Sequence, residues 1–120
     1  MIQADGGTRT ASITGGFVAL SLAIKKYMSS NKSIQDPVKD YVAAISCGIV
    51  KNEVLVDLDY SEDSIADVDA NFVITQKSGF SEVQATGEEN TFQKDELVDM
   101  MEKVELVSEK IFAIQKGALE

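Results

Sequence analysis

Hydrophobic residues recur at intervals of three and four near both ends of the chain, and this spacing predicts two long helices. The first covers residues 11–30, and its predicted core-facing stripe is Ile13, Phe17, Leu20, Ile24 and Tyr27. The second covers residues 94–119, and its predicted stripe is Leu97, Met100, Val104, Val107, Ile111, Ile114 and Ala118. The polar stretch 29–33 and the Asp36-Pro37 pair mark a loop after the first helix.

Between the helices, β-branched and apolar runs predict four strands in two hairpins. Residues 41–50 are apolar on both faces, which is typical of a central strand. Short turn signals join this strand to residues 53–60, and residues 66–77 to residues 80–85. Because hairpins connect antiparallel strands, the order predicts an α+β fold: a mainly antiparallel four-stranded sheet with flanking helices, as a single domain over residues 1–120.

The run DGGTRTASITG, beginning at Asp5, places two glycines, an arginine and several hydroxyls at the start of the first predicted helix. A helix N-terminus has unpaired N–H groups and the positive end of the dipole, so it attracts anions. Gly7 allows close approach of the backbone, and the Arg9 guanidinium can bind two phosphate oxygens. An ordinary Gly-Gly turn followed by a Thr or Ser cap fits the same residues, and the pattern alone leaves both interpretations open.

Six acidic residues form a cluster within thirteen positions, from the second strand of the first predicted hairpin to the first strand of the second. Its members are Asp57, Asp59, Glu62, Asp63, Asp67 and Asp69. Alternation along a strand predicts that Asp57, Asp59 and Asp63 share one face. Neighbouring carboxylates repel one another unless a cation lies among them, and ligand sets made only of oxygen suit Mg²⁺ or Mn²⁺. A solvated acidic face of the sheet is the alternative interpretation.

Composition excludes several kinds of site. The chain has no His, so it cannot supply a catalytic triad or a His-based metal site, and its single cysteine, Cys47, fits a buried filler in a reducing cytoplasm. No apolar window is long enough for a membrane helix, and no signal peptide is visible. The formal net charge of −9 argues against this chain being the main RNA-binding surface of any enzyme that acts on RNA.

The DGGTRTASITG run and four later segments together resemble the C-terminal half of the ribonuclease PH family. Those segments, in order, are VAAISCGIV, LVDLDYSEDSIADVDANFVIT, FSEVQATGEEN and AIQKGAL. The resemblance implies a fold like domain 2 of ribosomal protein S5. It also implies part of a phosphorolytic 3′-to-5′ exoribonuclease, or tRNA nucleotidyltransferase, that processes tRNA 3′ ends and releases nucleoside diphosphates. The expected partners are RNA, the N-terminal half of the enzyme and further copies in a hexameric ring.

Residue roles follow from the same resemblance. Gly7, Thr8 and Arg9 are expected to bind inorganic phosphate, the co-substrate. Asp63 and Asp69 are expected to be catalytic and to hold Mg²⁺ or Mn²⁺. The proton for the leaving 3′ oxygen would come from Asp63 or from a metal-bound water, and the sequence leaves both open.

Two other identities fit the pattern. One is a non-catalytic ribonuclease-PH-like subunit of an exosome-type ring, although the joint presence of Arg9, Asp63 and Asp69 favours the catalytic lineage. The other is an inert deletion product. The chain also departs from the family at Ala85 and Gly87, where glycine and alanine are exchanged. Strain is expected if position 85 requires a positive φ.

Overall fold

Two long helices flank a four-stranded antiparallel sheet, which confirms the predicted α+β class. The computed structural model describes residues 2–120. In chain order the elements are α1 (Thr8–Ser30), β1 (Val42–Val50), β2 (Glu53–Val56), α2 (Tyr60–Ile65), β3 (Val68–Thr75), β4 (Gly79–Gly87) and α3 (Lys94–Leu119). The strand order across the sheet is β2-β1-β3-β4, and every neighbouring pair is antiparallel.

The main core lies between α3 and one face of the central strands. Its buried members are Ile45, Cys47, Ile49, Val68, Ala70, Phe72, Met100 and Val104. Register explains the strand contribution, because Ile45 lies opposite Phe72 and side chains directly opposite each other share a face. Burial raises the pKa of the Cys47 thiol to about 11, so this cysteine is the buried filler that the sequence predicts.

The helix α1 lies along the part of β1 that β2 does not reach. Because β2 pairs only with Cys47–Val50, the first half of β1 needs other hydrogen-bond partners on that side. The Thr14 hydroxyl makes two hydrogen bonds to Ala44: it accepts from the Ala44 N–H at 3.0 Å and donates to the Ala44 carbonyl oxygen at 3.3 Å. The Gln115 Nε2 of α3 donates to the carbonyl oxygens of Thr14 and Val42. These bonds fix the position of α1 beside the sheet.

The predicted apolar stripes of α1 and α3 are wrong in part. Leu20 and Tyr27 of α1 are 59% and 57% exposed, whereas Ser21 is buried. In α3, Ile114 is 72% exposed, and Phe112 is buried in its place. Because α1 contacts the edge of β1 through Thr14, part of its apolar stripe stays uncovered. Within residues 2–120, neither long helix is apolar enough along its length to cross a bilayer.

The first predicted hairpin is present, but its second strand is shorter than predicted. Lys51 and Asn52 have φ values of 51° and 65°, as a two-residue turn of type I′ requires. Strand β2 ends at Val56 because Asp57 adopts a left-handed conformation with φ of 62°. The prediction of a strand through residue 60 was therefore wrong.

A short helix replaces the end of that predicted strand. Asp59 is its N-cap: the Asp59 carboxylate accepts from the Glu62 N–H at 2.8 Å, and the Glu62 carboxylate accepts from the Asp59 N–H at 3.1 Å. This reciprocal capping box starts α2, which carries Asp63. Asp57, Asp59 and Asp63 therefore do not share a strand face.

The exchange of glycine and alanine in β4 has a local explanation. Ala85 lies in the regular ladder opposite Ala70 and does not adopt a positive φ, so the strain considered at this position is not found. A Cβ atom at residue 87 would overlap the carbonyl group of Asn90, so it is Gly87 that allows the chain to turn back on itself here.

Candidate active site

The loop that precedes α1 is packed tightly against the start of α2. A carboxylate oxygen of Asp5 accepts from the N–H groups of Gly6 and Tyr60, both at 2.8 Å. The Thr8 hydroxyl donates to the Asp5 carbonyl oxygen at 2.6 Å. Gly7 is the N-cap of α1 with φ of 71°, a conformation that favours glycine. The two glycines therefore serve the loop geometry, and the first turn of α1 is held beside α2.

Position 6 requires glycine because the backbone of Leu58 and Asp59 lies very close to it. A Cβ atom at this position would overlap the backbone of Leu58 and Asp59, whereas a Cβ at Gly16 in α1 would meet no atom within 4 Å. We expect Gly6→Ala to destabilise the chain by about 1–3 kcal/mol, since the loop must move away from α2. Gly16→Ala is the matched control and should be stabilising by about 0.5–1 kcal/mol. Urea unfolding followed by circular dichroism measures both; equal effects of the two changes would contradict this account of the loop.

Arg9, the single arginine of the chain, forms an ion pair with Glu82 of β4. Its Nη2 atom lies 3.0 Å and 3.2 Å from the two carboxylate oxygens. The Arg9 side chain is 54% exposed and that of Glu82 is 39% exposed. No local pattern in the sequence predicts this contact, because the two residues are 73 positions apart.

Strand register places Glu82 on the same face of the sheet as Asp69. In the β3–β4 ladder, Asp69 lies opposite Thr86, and Val73 lies opposite Glu82. Residues at alternate positions of one strand share a face, and so do residues directly opposite each other on neighbouring strands. This face is the one that α3 does not cover, since Phe72 and Ala70 point to the other side. The guanidinium of Arg9 thus reaches the polar face of the sheet that carries Asp69.

Asp63 and Asp69 belong to different elements, the exposed α2 and the start of β3. Asp69 is half-buried, and its pKa is raised above the ordinary aspartate value, first by burial and then by the charges of Asp63 and Glu88. The charge of Asp63 therefore acts on the Asp69 carboxyl from a short helix, and not from the strand on which the alternating pattern placed Asp63.

The raised pKa of Asp69 gives a pH prediction. Because the folded state binds this proton more tightly than the unfolded state does, Asp69 contributes stability below the unfolded pKa of 3.8, and that contribution is lost as pH rises through the higher folded pKa. Asp63→Asn removes one cause, so we expect the pKa of Asp69 to move down toward its ordinary value. Carboxyl ¹³C NMR titration measures it, with Glu53→Gln as a control of equal charge change; no movement in Asp63→Asn would show that the two carboxylates do not interact.

The donor chemistry of this pair fits a hard divalent cation. Mg²⁺ is commonly bound through one or two carboxylates, with waters and substrate phosphate oxygens completing its coordination. Asp63 and Asp69 provide two carboxylates, and a bound cation would offset the charges of Asp63 and Glu88 that add to the effect of burial in raising the pKa of Asp69. Over residues 2–120, no group of three or more His, Cys, Asp or Glu side chains is arranged to hold a metal ion by itself. A cation here would therefore depend on two carboxylates and on the substrate.

Sequence comparison places this chain in a known family. Residues 40–103, from just before β1 into α3, match the profile described as "3′ exoribonuclease family, domain 2". That match covers more than half of the chain. The chain belongs to the 3′ exoribonuclease family. The loop with Gly6, Gly7 and Arg9 lies before the matched region, whereas Asp63, Asp69 and Glu82 lie within it.

Individual relatives in the 3′ exoribonuclease family extend the match to nearly the whole chain. Ribonuclease PH of Bacillus cereus (strain AH820) is 52% identical over 120 residues, which cover 99% of this chain and 49% of that protein. Ribonuclease PH of Cereibacter sphaeroides is 47% identical over 119 residues, 99% of this chain and 50% of that protein. The chain therefore spans about half the length of the curated relatives it matches. Its similarity to these ribonuclease PH sequences agrees with the resemblance drawn from the DGGTRTASITG run and the later segments.

A solved structure shows the same fold. Rice (Oryza sativa) Rrp46 superposes with a TM-score of 0.76 over 98% of this chain and 50% of that chain, at 21% sequence identity. At that identity the likeness concerns the fold alone. It agrees with the arrangement like domain 2 of ribosomal protein S5 that the sequence resemblance implied.

Proposed function

We propose that this chain is one half of a phosphorolytic 3′-to-5′ exoribonuclease that trims the 3′ ends of tRNA precursors. Inorganic phosphate would attack the terminal phosphodiester and release a nucleoside diphosphate. The observation that carries the proposal is the ion pair of Arg9 with Glu82 on the sheet face that bears Asp69, in a chain 52% identical to a ribonuclease PH. The corresponding domain boundary, residues 1–120 as the C-terminal half, is part of the proposal.

The reaction needs positive charge, because an anionic nucleophile attacks an anionic ester. Gly7, Thr8 and Arg9 would hold the attacking phosphate at the N-terminus of α1, where N–H groups and the helix dipole also favour an anion. Only Nη2 of Arg9 is bonded to Glu82, so the Nε and Nη1 edges of the guanidinium remain for phosphate oxygens.

The two carboxylates would act on the transferred phosphoryl group and on the leaving oxygen. Asp63 and Asp69 would hold Mg²⁺ or Mn²⁺, which when bound would stabilise negative charge on the transferred phosphoryl group. The proton for the leaving 3′ oxygen would come from Asp63, which is exposed, or from a metal-bound water. A non-catalytic ring subunit of the same fold would not need Arg9, Asp63 and Asp69 together, so their joint presence favours the enzyme.

The N-terminal half of the enzyme is the proposed partner. Exposed apolar side chains on both long helices support this, among them Leu20, Leu22, Leu106 and Ile114. A cavity of about 620 Å³ also opens between α1 and α3, beginning at Gly6 and Gly7. Apolar surface of this kind marks a protein interface. The charge of −9 indicates that the RNA backbone would be held largely by the partner half, and a hexameric ring would complete the assembly.

Phosphate binding by the loop tests the first step. In an NMR titration with inorganic phosphate at constant ionic strength, we expect the largest amide shifts at residues 6–12. Arg9→Lys should weaken binding by about tenfold, because charge remains but the two-pronged contact is lost. Lys26→Ala, which removes a cation further along α1, is the control and should bind as the wild type does. The largest shifts elsewhere would overturn the proposed phosphate site.

A further inference from the structure

Glu82 holds the single arginine of the chain in an unusual way. Both of its carboxylate oxygens lie near one guanidinium nitrogen, Nη2, rather than pairing with two nitrogens side by side. The described hydrogen bonds engage neither Nε nor Nη1 of Arg9. An arginine side chain is long and rotamer-rich, so an isolated Arg9 on an exposed first turn would sample many positions.

We propose that Glu82 is a positioning residue for phosphate: it holds Arg9 across the polar face of the sheet so that the free guanidinium edges meet the incoming anion. The inference rests on the proposed function and adds a residue from β4 to a site otherwise built from α1, α2 and β3. Glu82 is itself placed by the sheet, since it lies opposite Val73 in the β3–β4 ladder, at the irregularity between Val73 and Ile74.

Glu82 would strengthen phosphate binding by positioning Arg9, whereas its negative charge would weaken phosphate binding. The two effects have opposite signs, so they can be separated. A carboxylate near a phosphate repels it, and simple removal of that repulsion would make phosphate bind more tightly. Both groups are substantially exposed, where solvent weakens such repulsion. A guanidinium held in place loses less conformational freedom when it binds phosphate. We therefore expect the positioning effect to be the larger one.

Three substitutions of Glu82 distinguish the two effects. Glu82→Asp keeps the charge but shortens the side chain, so it should lose the contact with Arg9. Glu82→Ala removes both contact and charge. Glu82→Gln keeps the length and one accepting oxygen. The matched control is Glu105→Gln on α3, which changes the net charge equally and whose side chain has no described contact with Arg9.

The experiment is a titration of inorganic phosphate followed by ¹⁵N NMR at constant ionic strength. Because the chain has one arginine, the Nε–Hε signal of Arg9 is a single, unambiguous probe. Amide spectra of each variant establish that the fold is kept. We expect Glu82→Asp and Glu82→Ala to weaken phosphate binding about twofold to fivefold, which lies within the range for loss of an exposed ion pair. Glu82→Gln should lie between these variants and the wild type, and Glu105→Gln should match the wild type.

Two outcomes would overturn the positioning role while leaving the phosphate site in place: Glu82→Asp binding phosphate as the wild type does, or Glu82→Ala binding it more tightly. A wild-type Arg9 signal that does not respond to phosphate would instead contradict the proposed function itself. The two failures are therefore distinguishable in one data set.

Discussion

Asp63→Asn is expected to lower the turnover of the assembled enzyme by about 10²–10⁴-fold, the range for loss of a group that transfers a proton in the transition state. The same change removes one of the two carboxylates proposed to hold the divalent cation. Asp63 is exposed on α2, and its backbone, not its side chain, makes the helix hydrogen bonds. The fold should therefore be unaffected, and the loss should appear in kcat rather than in thermal stability.

Asp57→Asn is the matched control. Asp57 belongs to the same acidic cluster but lies at the end of β2 with a positive φ, a conformation that Asn also tolerates. We expect it to retain most activity, whereas Asp69→Asn should be impaired in the same way as Asp63→Asn. Steady-state release of nucleoside diphosphate measures all three. A larger loss in Asp57→Asn would mean that the wrong pair of carboxylates has been assigned.

The second large effect concerns this chain without a partner, which is expected to show no phosphorolysis. The polar face holds only one arginine, and that arginine is shared with Glu82. The net charge of −9 repels an RNA backbone. Loss of substrate positioning alone can remove about 7–11 kcal/mol of barrier lowering. Addition of the N-terminal half should restore activity, because it would supply both RNA contacts and the rest of the proposed site.

The exposed apolar side chains lead to a related prediction about the association state of the isolated chain. Leu106 and Ile114 are 71% and 72% exposed on α3, so the isolated chain should self-associate. Sedimentation velocity should show this association decreasing when the N-terminal half is added. A strictly monomeric chain at high concentration would argue against an uncovered interface on these helices.

Much of the fold could be predicted from local patterns. The four strands followed from apolar runs and turn residues, and the turn at Lys51 and Asn52 was visible because asparagine favours the positive φ of tight hairpins. The central position of β1 followed from its apolar character on both faces, and eight of its nine residues are buried.

The helix faces could not be predicted as well, because the tertiary contact is an unusual one. The amphipathic pattern assumes that a helix packs its apolar stripe against a sheet face. Here α1 fills a gap in the ladder beside β1 through Thr14, and Gln115 of α3 is buried because it bonds to both elements. Polar residues at the contact carry no hydrophobic signal, so the pattern favoured Leu20 and Ile114 instead.

The candidate site could also be predicted from the sequence only in part. The residues Gly7, Arg9, Asp63 and Asp69 came from motifs in the sequence, and their roles remain proposals. The capping box of Asp59 and Glu62 was readable in principle, since an Asp followed three residues later by Glu marks a helix start, but the alternating pattern before it favoured a strand. The contact of Arg9 with Glu82 depends on strand register over 73 positions, which no local pattern reports.

The most direct test is a phosphate-dependent assay on a tRNA precursor with a 3′ extension. The proteins are this chain, the part of Bacillus cereus ribonuclease PH that it does not match, and the two together. The proposed function predicts nucleoside diphosphate release only from the mixture, only with inorganic phosphate, and not when the chain carries Asp63→Asn. Release by the 120-residue chain alone, or release by the mixture without phosphate, would contradict it.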